Sequence, residues 1–153
     1  MRTLAVLFLL TVCMSAVPAS SQPSPGACSA SATRTLVRSF VSNYSRGRVA
    51  TIDRFFAPAT RFLWFSSGSP GARLGPPSHV RATLAAYFRA RVRVHERLRL
   101  TALRAGYDPA REIVNFGGKL VRSADDIRSR RPHDFKGAAD CRAGVPRFIV
   151  WSM

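Results

Sequence analysis

The hydrophobic period of this chain changes from helical to extended near residue 92, and this order of elements constrains the fold most strongly. In the segment 33–47, apolar side chains such as Phe40 and Tyr44 recur at helical spacing, which predicts an amphipathic helix. In 92–102, apolar residues occupy the even positions and polar or charged residues the odd ones, which predicts a strand. Helices followed by antiparallel strands are typical of an α+β domain in which helices cover one face of a curved sheet.

Local patterns predict the remaining elements. The segment 49–56 has helical spacing and stops before Pro58, and the aromatic stretch around Trp64 is typical of a buried strand. Ser78 is placed to cap a third helix, which carries Tyr87. Further strands are expected at 112–122, 135–141 and 147–152. The expected order is therefore helix, helix, strand, helix, and then three or four strands.

The strand expected at 147–152 is apolar on both faces. Strict alternation places Phe148 and Val150 on one face and Ile149 and Trp151 on the other. A strand with two apolar faces is expected inside a sheet rather than at its edge.

The first residues match the order of regions in a secretory signal peptide. A positively charged start precedes the short apolar run "LAVLFLLTV", and small residues and prolines follow. The apolar run is too short to span a bilayer comfortably. Cleavage is expected after Ala19, with Ala16 and Ser21 as alternatives, and an uncleaved anchor is the competing interpretation.

The expected organisation is a signal peptide at 1–21, a flexible Ser/Pro/Ala-rich segment at 22–32 and one α+β domain at 33–153. A domain of this length has room for a single hydrophobic core. The expected location is outside the cytoplasm, either secreted or in the cell envelope.

The cysteines agree with an oxidising compartment. Cys13 would leave with the signal peptide, and the two that remain, Cys28 and Cys141, are expected to form a disulfide. The chain-entropy model gives such a long loop closure a stabilisation of roughly 4–5 kcal/mol. Lipidation is the competing interpretation for Cys28, although Pro25 stands where a lipidation motif requires an aliphatic residue.

The chain is strongly basic. Its formal net charge is +16, and of its 24 basic residues all except Lys119 and Lys136 are arginines. Such a charge attracts polyanions, including acidic wall polymers and anionic lipid headgroups. Nucleic acid is not expected as a partner, because the aromatic residues lie at core spacings and are not interleaved with the basic ones. No segment after residue 14 is apolar enough to cross a membrane.

Several short stretches carry a resemblance to a known superfamily. They are "YSRGRVATIDRFFAP" in the opening helices, "LAAYF" in the third helix, and "NFGGKLVR" and "RFIVWSM" in the closing strands. Over residues 33–153 the chain resembles the nuclear transport factor 2-like proteins, which include SnoaL-like polyketide cyclases and ketosteroid isomerases. The resemblance implies a cystatin-like cone of about three helices on a curved, mainly antiparallel sheet, with a pocket inside. The Gly- and Pro-rich segment 66–77 is expected to lie at the rim of that pocket.

The resemblance also implies what catalysis would require. Enzymes of this superfamily use a carboxylate base inside the cone and a tyrosine or acid that holds the enolate oxygen, whereas the first strand here offers Trp64 and no acid. Tyr44 is the candidate phenolic donor, and Asp140 and His95 are the candidate bases. On a strand, His95 and Glu96 would point to opposite faces and could not act together.

The basic residues of the expected strands form a candidate binding patch. Arg93, Arg97 and Arg99 share one face, and Lys119 lies on a neighbouring strand, so the patch is suited to a carboxylate, a phosphate or an acidic polymer. The competing interpretation is that arginine simply fills exposed sheet positions. Two aromatic residues of the expected cone are added to this patch. The full set of candidate ligand-binding residues is Trp64, Tyr87, Arg93, Arg97, Arg99 and Lys119.

No cofactor is expected. The three histidines are far apart in the sequence and lack metal-ligand spacing, so no metal site is expected either.

The leading hypothesis is a secreted domain that binds a small or acidic ligand in the cone pocket without catalysis, because no paired acid and base are visible. One alternative is an enzyme of the isomerase or cyclase type that uses Tyr44 with His95 or Asp140. Another is an envelope protein held to anionic polymers by charge. A homodimer through an exposed sheet face is a further arrangement that the resemblance implies.

Overall fold

A computed structural model describes residues 28–58, 62–65 and 79–153. The expected signal peptide and the Gly/Pro-rich segment 66–77 lie outside the described residues. The described residues form three α-helices, one 3-10 turn and five strands, in the expected order. These are α1 (Ala30–Ser45), α2 (Val49–Ile52), the 3-10 turn Asp53–Phe55, β1 (Leu63–Phe65), α3 (Arg81–Arg93), β2 (Arg97–Asp108), β3 (Ile113–Ser123), β4 (Pro132–Asp140) and β5 (Arg147–Ser152).

Helix α1 forms because one of its faces is apolar and its N-terminus is capped. Val37, Phe40 and Tyr44 are buried at helical spacing. The Ser29 hydroxyl accepts a 3.0 Å hydrogen bond from the Ala32 N–H, which satisfies a backbone donor that the helix leaves free. The helix therefore begins three residues before the expected start, within the segment that composition alone marked as flexible.

The five strands form one sheet in the order β1-β5-β4-β3-β2. Neighbouring strands are antiparallel, except that β1 runs parallel to β5. Strand β5 therefore lies inside the sheet, as its two apolar faces predicted. The α+β class and the arrangement of helices over a mainly antiparallel sheet are confirmed.

The face assignment within β5 was wrong, because the strand contains a bulge. The register with β4 shifts between Ala138 and Ala139, so β5 has one extra residue there. As a result Phe148 and Trp151, three positions apart, are both fully buried on the core side.

The junction between α3 and β2 also differs from the expectation. The strand expected from residue 92 begins only at Arg97, because α3 continues to Arg93 and a turn follows. In that turn His95 has a left-handed φ of 53°. His95 and Glu96 are therefore turn residues, and Arg93 belongs to a helix rather than to the face of a strand.

The core is a cluster of aromatic rings between the helices and the sheet. Phe40 lies at its centre, with its ring centroid 4.5 Å from that of Trp151 and 5.4 Å from that of Phe148. Such ring pairs add stabilisation beyond the area they bury.

The expected disulfide between Cys28 and Cys141 is present, with the two Cα atoms 5.4 Å apart. It ties the residue just before the cap of α1 to the end of β4.

Candidate functional site

A buried carboxylate, Glu96, lies where the turn after α3 enters β2. Its side chain is 0% exposed. One carboxylate oxygen, Oε1, accepts a 2.6 Å hydrogen bond from Arg122 Nε of β3. The other, Oε2, accepts from the Tyr44 hydroxyl of α1 at 2.9 Å and from Arg91 Nε of α3. Three elements of the fold therefore converge on one acid.

Both arginines make a second contact. Arg91 donates from Nη1 and Nη2 to the two carboxylate oxygens of Asp126, at 2.7 and 2.8 Å, in a bidentate pair. Arg122 donates from Nη2 to the Tyr87 hydroxyl at 3.1 Å. With two guanidinium groups and two carboxylates, the network is electrically balanced, as buried charges must be.

The environment shifts the acid–base equilibria of this network. Burial raises the pKa of the Tyr44 phenol well above its ordinary value, and the nearby Tyr87 and Glu96 raise it further. The hydrogen bonds from Arg91 lower the pKa of Asp126. Tyr44 is therefore a neutral donor at physiological pH, and its proton is engaged with Glu96.

The second feature of the cone interior is a pair of tryptophans. Trp64 of β1 and Trp151 of β5 are partners in the strand register, and their rings stack at 5.9 Å with an angle of 7°. Both residues are 0% exposed. Neither indole N–H has a hydrogen-bond acceptor in the part of the chain that the structure describes. The ring of Phe88 lies 5.0 Å from that of Trp64, and the ring of Tyr87 lies 5.7 Å from it.

Known structures contain the same arrangement of helices and sheet. A protein with a cystatin-like fold from Caulobacter vibrioides aligns with a TM-score of 0.62 at 15% identity, covering 80% of this chain and 85% of that one. An NTF-2-like protein from Shewanella oneidensis aligns with a TM-score of 0.59 at 10% identity, covering 80% and 95%. An NTF2-like protein from Novosphingobium aromaticivorans gives 0.57 at 12% identity, covering 80% and 78%.

The chain has the cystatin-like fold of the NTF2-like proteins. No family model and no curated protein matches the sequence. At this level of identity the likeness concerns the fold alone, and a fold of this kind does not determine an activity.

The NTF2-like fold places the three candidate catalytic residues apart. His95 is 74% exposed and contacts Asp125 outside the core, with its Nδ1 2.8 Å from a carboxylate oxygen. Asp140 is buried, but its carboxylate accepts hydrogen bonds from Arg142 at 3.1 Å. Tyr44 is buried in the network around Glu96.

The distance between Asp140 and Tyr44 prevents them from acting together. In the strand register Asp140 pairs with Ile113, at one end of β3. Arg122 lies near the other end of β3, and it binds the Glu96 carboxylate that Tyr44 contacts. Nine residues of extended strand correspond to about 30 Å.

Five of the six candidate ligand-binding residues divide into two groups, and the sixth, Arg93, is exposed at the end of α3. Trp64 and Tyr87 are in the interior of the NTF2-like cone. Arg99 and Lys119 are exposed on the face of the sheet that is turned away from the helices, which we call the outer face, and Arg97 is exposed at the start of β2. Arg97 donates to the Ser45 carbonyl, and Lys119 forms an ion pair with Asp134 at 3.0 Å.

Sequence reasoning missed Glu96, Arg91 and Arg122. The sequence pattern considered Glu96 only beside His95, where on a strand the two side chains would point to opposite faces. One pattern pointed to the network: Glu96 is a single acid within the basic stretch "RVRVHERLRLTALR", in a chain with only eight acidic residues.

The described residues contain no group of side chains with the composition of a metal site, and none of their helices is long and apolar enough to cross a membrane.

Proposed function

We propose that this protein is a non-catalytic binding protein, and that its ligand is a small, largely apolar molecule with one hydrogen-bond acceptor. The observation that carries the proposal is the stacked pair Trp64 and Trp151, whose two indole N–H groups are fully buried without an acceptor among the described residues.

Energetics support a ligand at this pair. A buried donor without a partner costs about 1–3 kcal/mol. Two such donors therefore lower the free energy of unfolding of a small domain by a sizeable fraction. Phenylalanine would fill most of the same space without that cost. A carbonyl or carboxylate oxygen in contact with the indole edges would satisfy the donors, and the surrounding rings would hold the apolar part of the molecule.

The buried carboxylates support binding rather than catalysis. A general base needs a free lone pair directed at the substrate. Among the described residues the buried acids are Glu96 and Asp140, and arginine engages both of them. The isomerase or cyclase alternative would need one of these acids to leave its arginine.

We also propose that the protein acts outside the cytoplasm. The disulfide between Cys28 and Cys141 supports this, because such bonds persist in oxidising compartments, and so does the signal-like composition of residues 1–21.

The tryptophans themselves provide the test, since the chain has no others. Acetophenone and benzoate carry an acceptor on an aromatic ring, and ethylbenzene has a similar shape without one. We expect the first two to shift the tryptophan emission and raise the melting temperature, and ethylbenzene to do so less.

Replacing each tryptophan separately with phenylalanine should reduce the preference for the acceptor-bearing compounds, because each substitution removes one of the two N–H donors. Tyr107→Phe is the matched control, because it removes a polar group from an exposed ring on β2. Equal responses to all three compounds would contradict the proposal.

A further inference from the structure

The outer face of the sheet contains a groove that the proposed function does not use. Its volume is about 750 Å³, and its lining includes Arg104, Asn115, Gly117, Lys136 and Ser152. These residues come from four adjacent strands, so the groove crosses the sheet.

The strand register places two cations on either side of a glycine. Arg104 of β2 and Lys136 of β4 both pair with Gly117 of β3. Their Cα atoms are therefore two strand spacings apart, roughly 9–10 Å. Both side chains are long and flexible, so their charged ends can meet above Gly117.

The floor of the groove is low because two positions lack side chains. A Cβ atom at Gly117 would lie 3.0 Å from the Phe135 carbonyl oxygen, so a side chain would be crowded there. Gly106 is the register partner of Asn115, and a Cβ at this position would meet nothing within 4 Å. The space above Gly106 is therefore open, and a side chain placed there would enter the groove.

The charges of the groove are available to a ligand. Neither the Arg104 nor the Lys136 side chain has a hydrogen bond or an ion pair with the described residues, and the exposed amide of Asn115 adds a donor. The acid that lines the groove is Asp134, and the adjacent Lys119 neutralises it with an ion pair of 3.0 Å.

We propose that this groove binds a phosphate monoester, with the phosphate above Gly117 between Arg104 and Lys136. Two cations match a dianion, whereas a carboxylate or a sulfonate carries a single charge and would leave one cation uncompensated. A second copy of this chain would bring like charges together if the same faces met, so a phosphorylated ligand fits the surface better.

The test is calorimetric titration of the full chain at fixed ionic strength with phenyl phosphate. Benzenesulfonate is the control ligand, because it has a similar shape and one negative charge. We expect saturable binding of phenyl phosphate, with one site per chain, and clearly weaker binding of benzenesulfonate. Equal affinities for the two compounds would overturn the proposal, and so would the absence of saturable binding.

Three variants locate the site. Arg104→Gln and Lys136→Gln should each weaken binding about tenfold, as expected for the loss of one charged hydrogen bond. Gly106→Val should abolish binding by filling the groove, and valine is well suited to a strand. Arg99→Gln is the matched control, since it removes the same charge from the same face outside the lining of the groove.

If Arg99→Gln weakens binding as much as Arg104→Gln, the affinity follows overall charge and the site is refuted. These positions are exposed, so the substitutions should leave the fold unchanged, and a melting curve of each variant verifies this.

Discussion

Replacing Glu96 with glutamine measures how much of the stability depends on the buried ion network. All three partners of the Glu96 carboxylate, namely Arg91, Arg122 and Tyr44, donate hydrogen bonds to it. Glutamine has one acceptor oxygen and one NH2 group, so its amide nitrogen would face at least one of these donors. The substitution also leaves the network with an uncompensated positive charge.

The expected cost is large relative to the stability of a domain of this size. Removing one partner of a buried ion pair costs about 3–5 kcal/mol, because the other charge stays buried without compensation. A typical domain has a free energy of unfolding of about 5–15 kcal/mol. The variant should therefore fold, but with a markedly lower urea midpoint.

Tryptophan fluorescence during urea denaturation is the assay, because both tryptophans are in the core. The midpoint should fall while the denaturant slope stays unchanged, since the network is part of the native state. Glu112→Gln is the matched control: it makes the same charge change at an exposed position between β2 and β3, and its effect should be within about 0.5 kcal/mol.

Equal losses for Glu96→Gln and Glu112→Gln would refute the reasoning, because the effect would then reflect net charge and not the burial of the carboxylate. A changed denaturant slope in Glu96→Gln would indicate a less compact native state instead.

Two further predictions concern Asp126 and the disulfide. Asp126 has a lowered pKa, so its contribution to stability is present above the ordinary value of 3.8 and is lost as the pH falls through its folded-state pKa. Melting curves between about pH 5 and pH 3 should therefore fall less steeply for Asp126→Asn than for the wild type, and parallel curves would contradict this. Cys28→Ser should lower the free energy of unfolding by about 4–5 kcal/mol, because the disulfide spans 113 residues; a variant as stable as the oxidised wild type would contradict the loop-closure argument.

Local patterns in the sequence were sufficient to predict the order of the helices and strands. The helical spacing around Phe40 predicted α1, and the two apolar faces of 147–152 predicted that β5 lies inside the sheet, because burial requires apolar residues at periods that the backbone imposes. The disulfide was predictable because only two cysteines remain after residue 13.

The candidate site was less predictable, because its members are distant in the sequence. Tyr44, Glu96 and Arg122 belong to three elements and meet only after the sheet has formed. A buried arginine cannot be distinguished from an exposed one by hydrophobic period, and an arginine-rich chain offers many alternatives. The bulge in β5 was equally invisible, since alternation in a sequence assumes a regular register.

By itself, the amino-acid sequence determined the class of the fold, the order of the helices and strands, and the disulfide. These features depend on the polarity, the spacing and the number of the side chains concerned. Only the tertiary structure decided which charges are buried together, that the two indole N–H groups lack an acceptor, and that Arg104 and Lys136 flank Gly117. Those are properties of strand register and packing, in which residues far apart in the chain become neighbours.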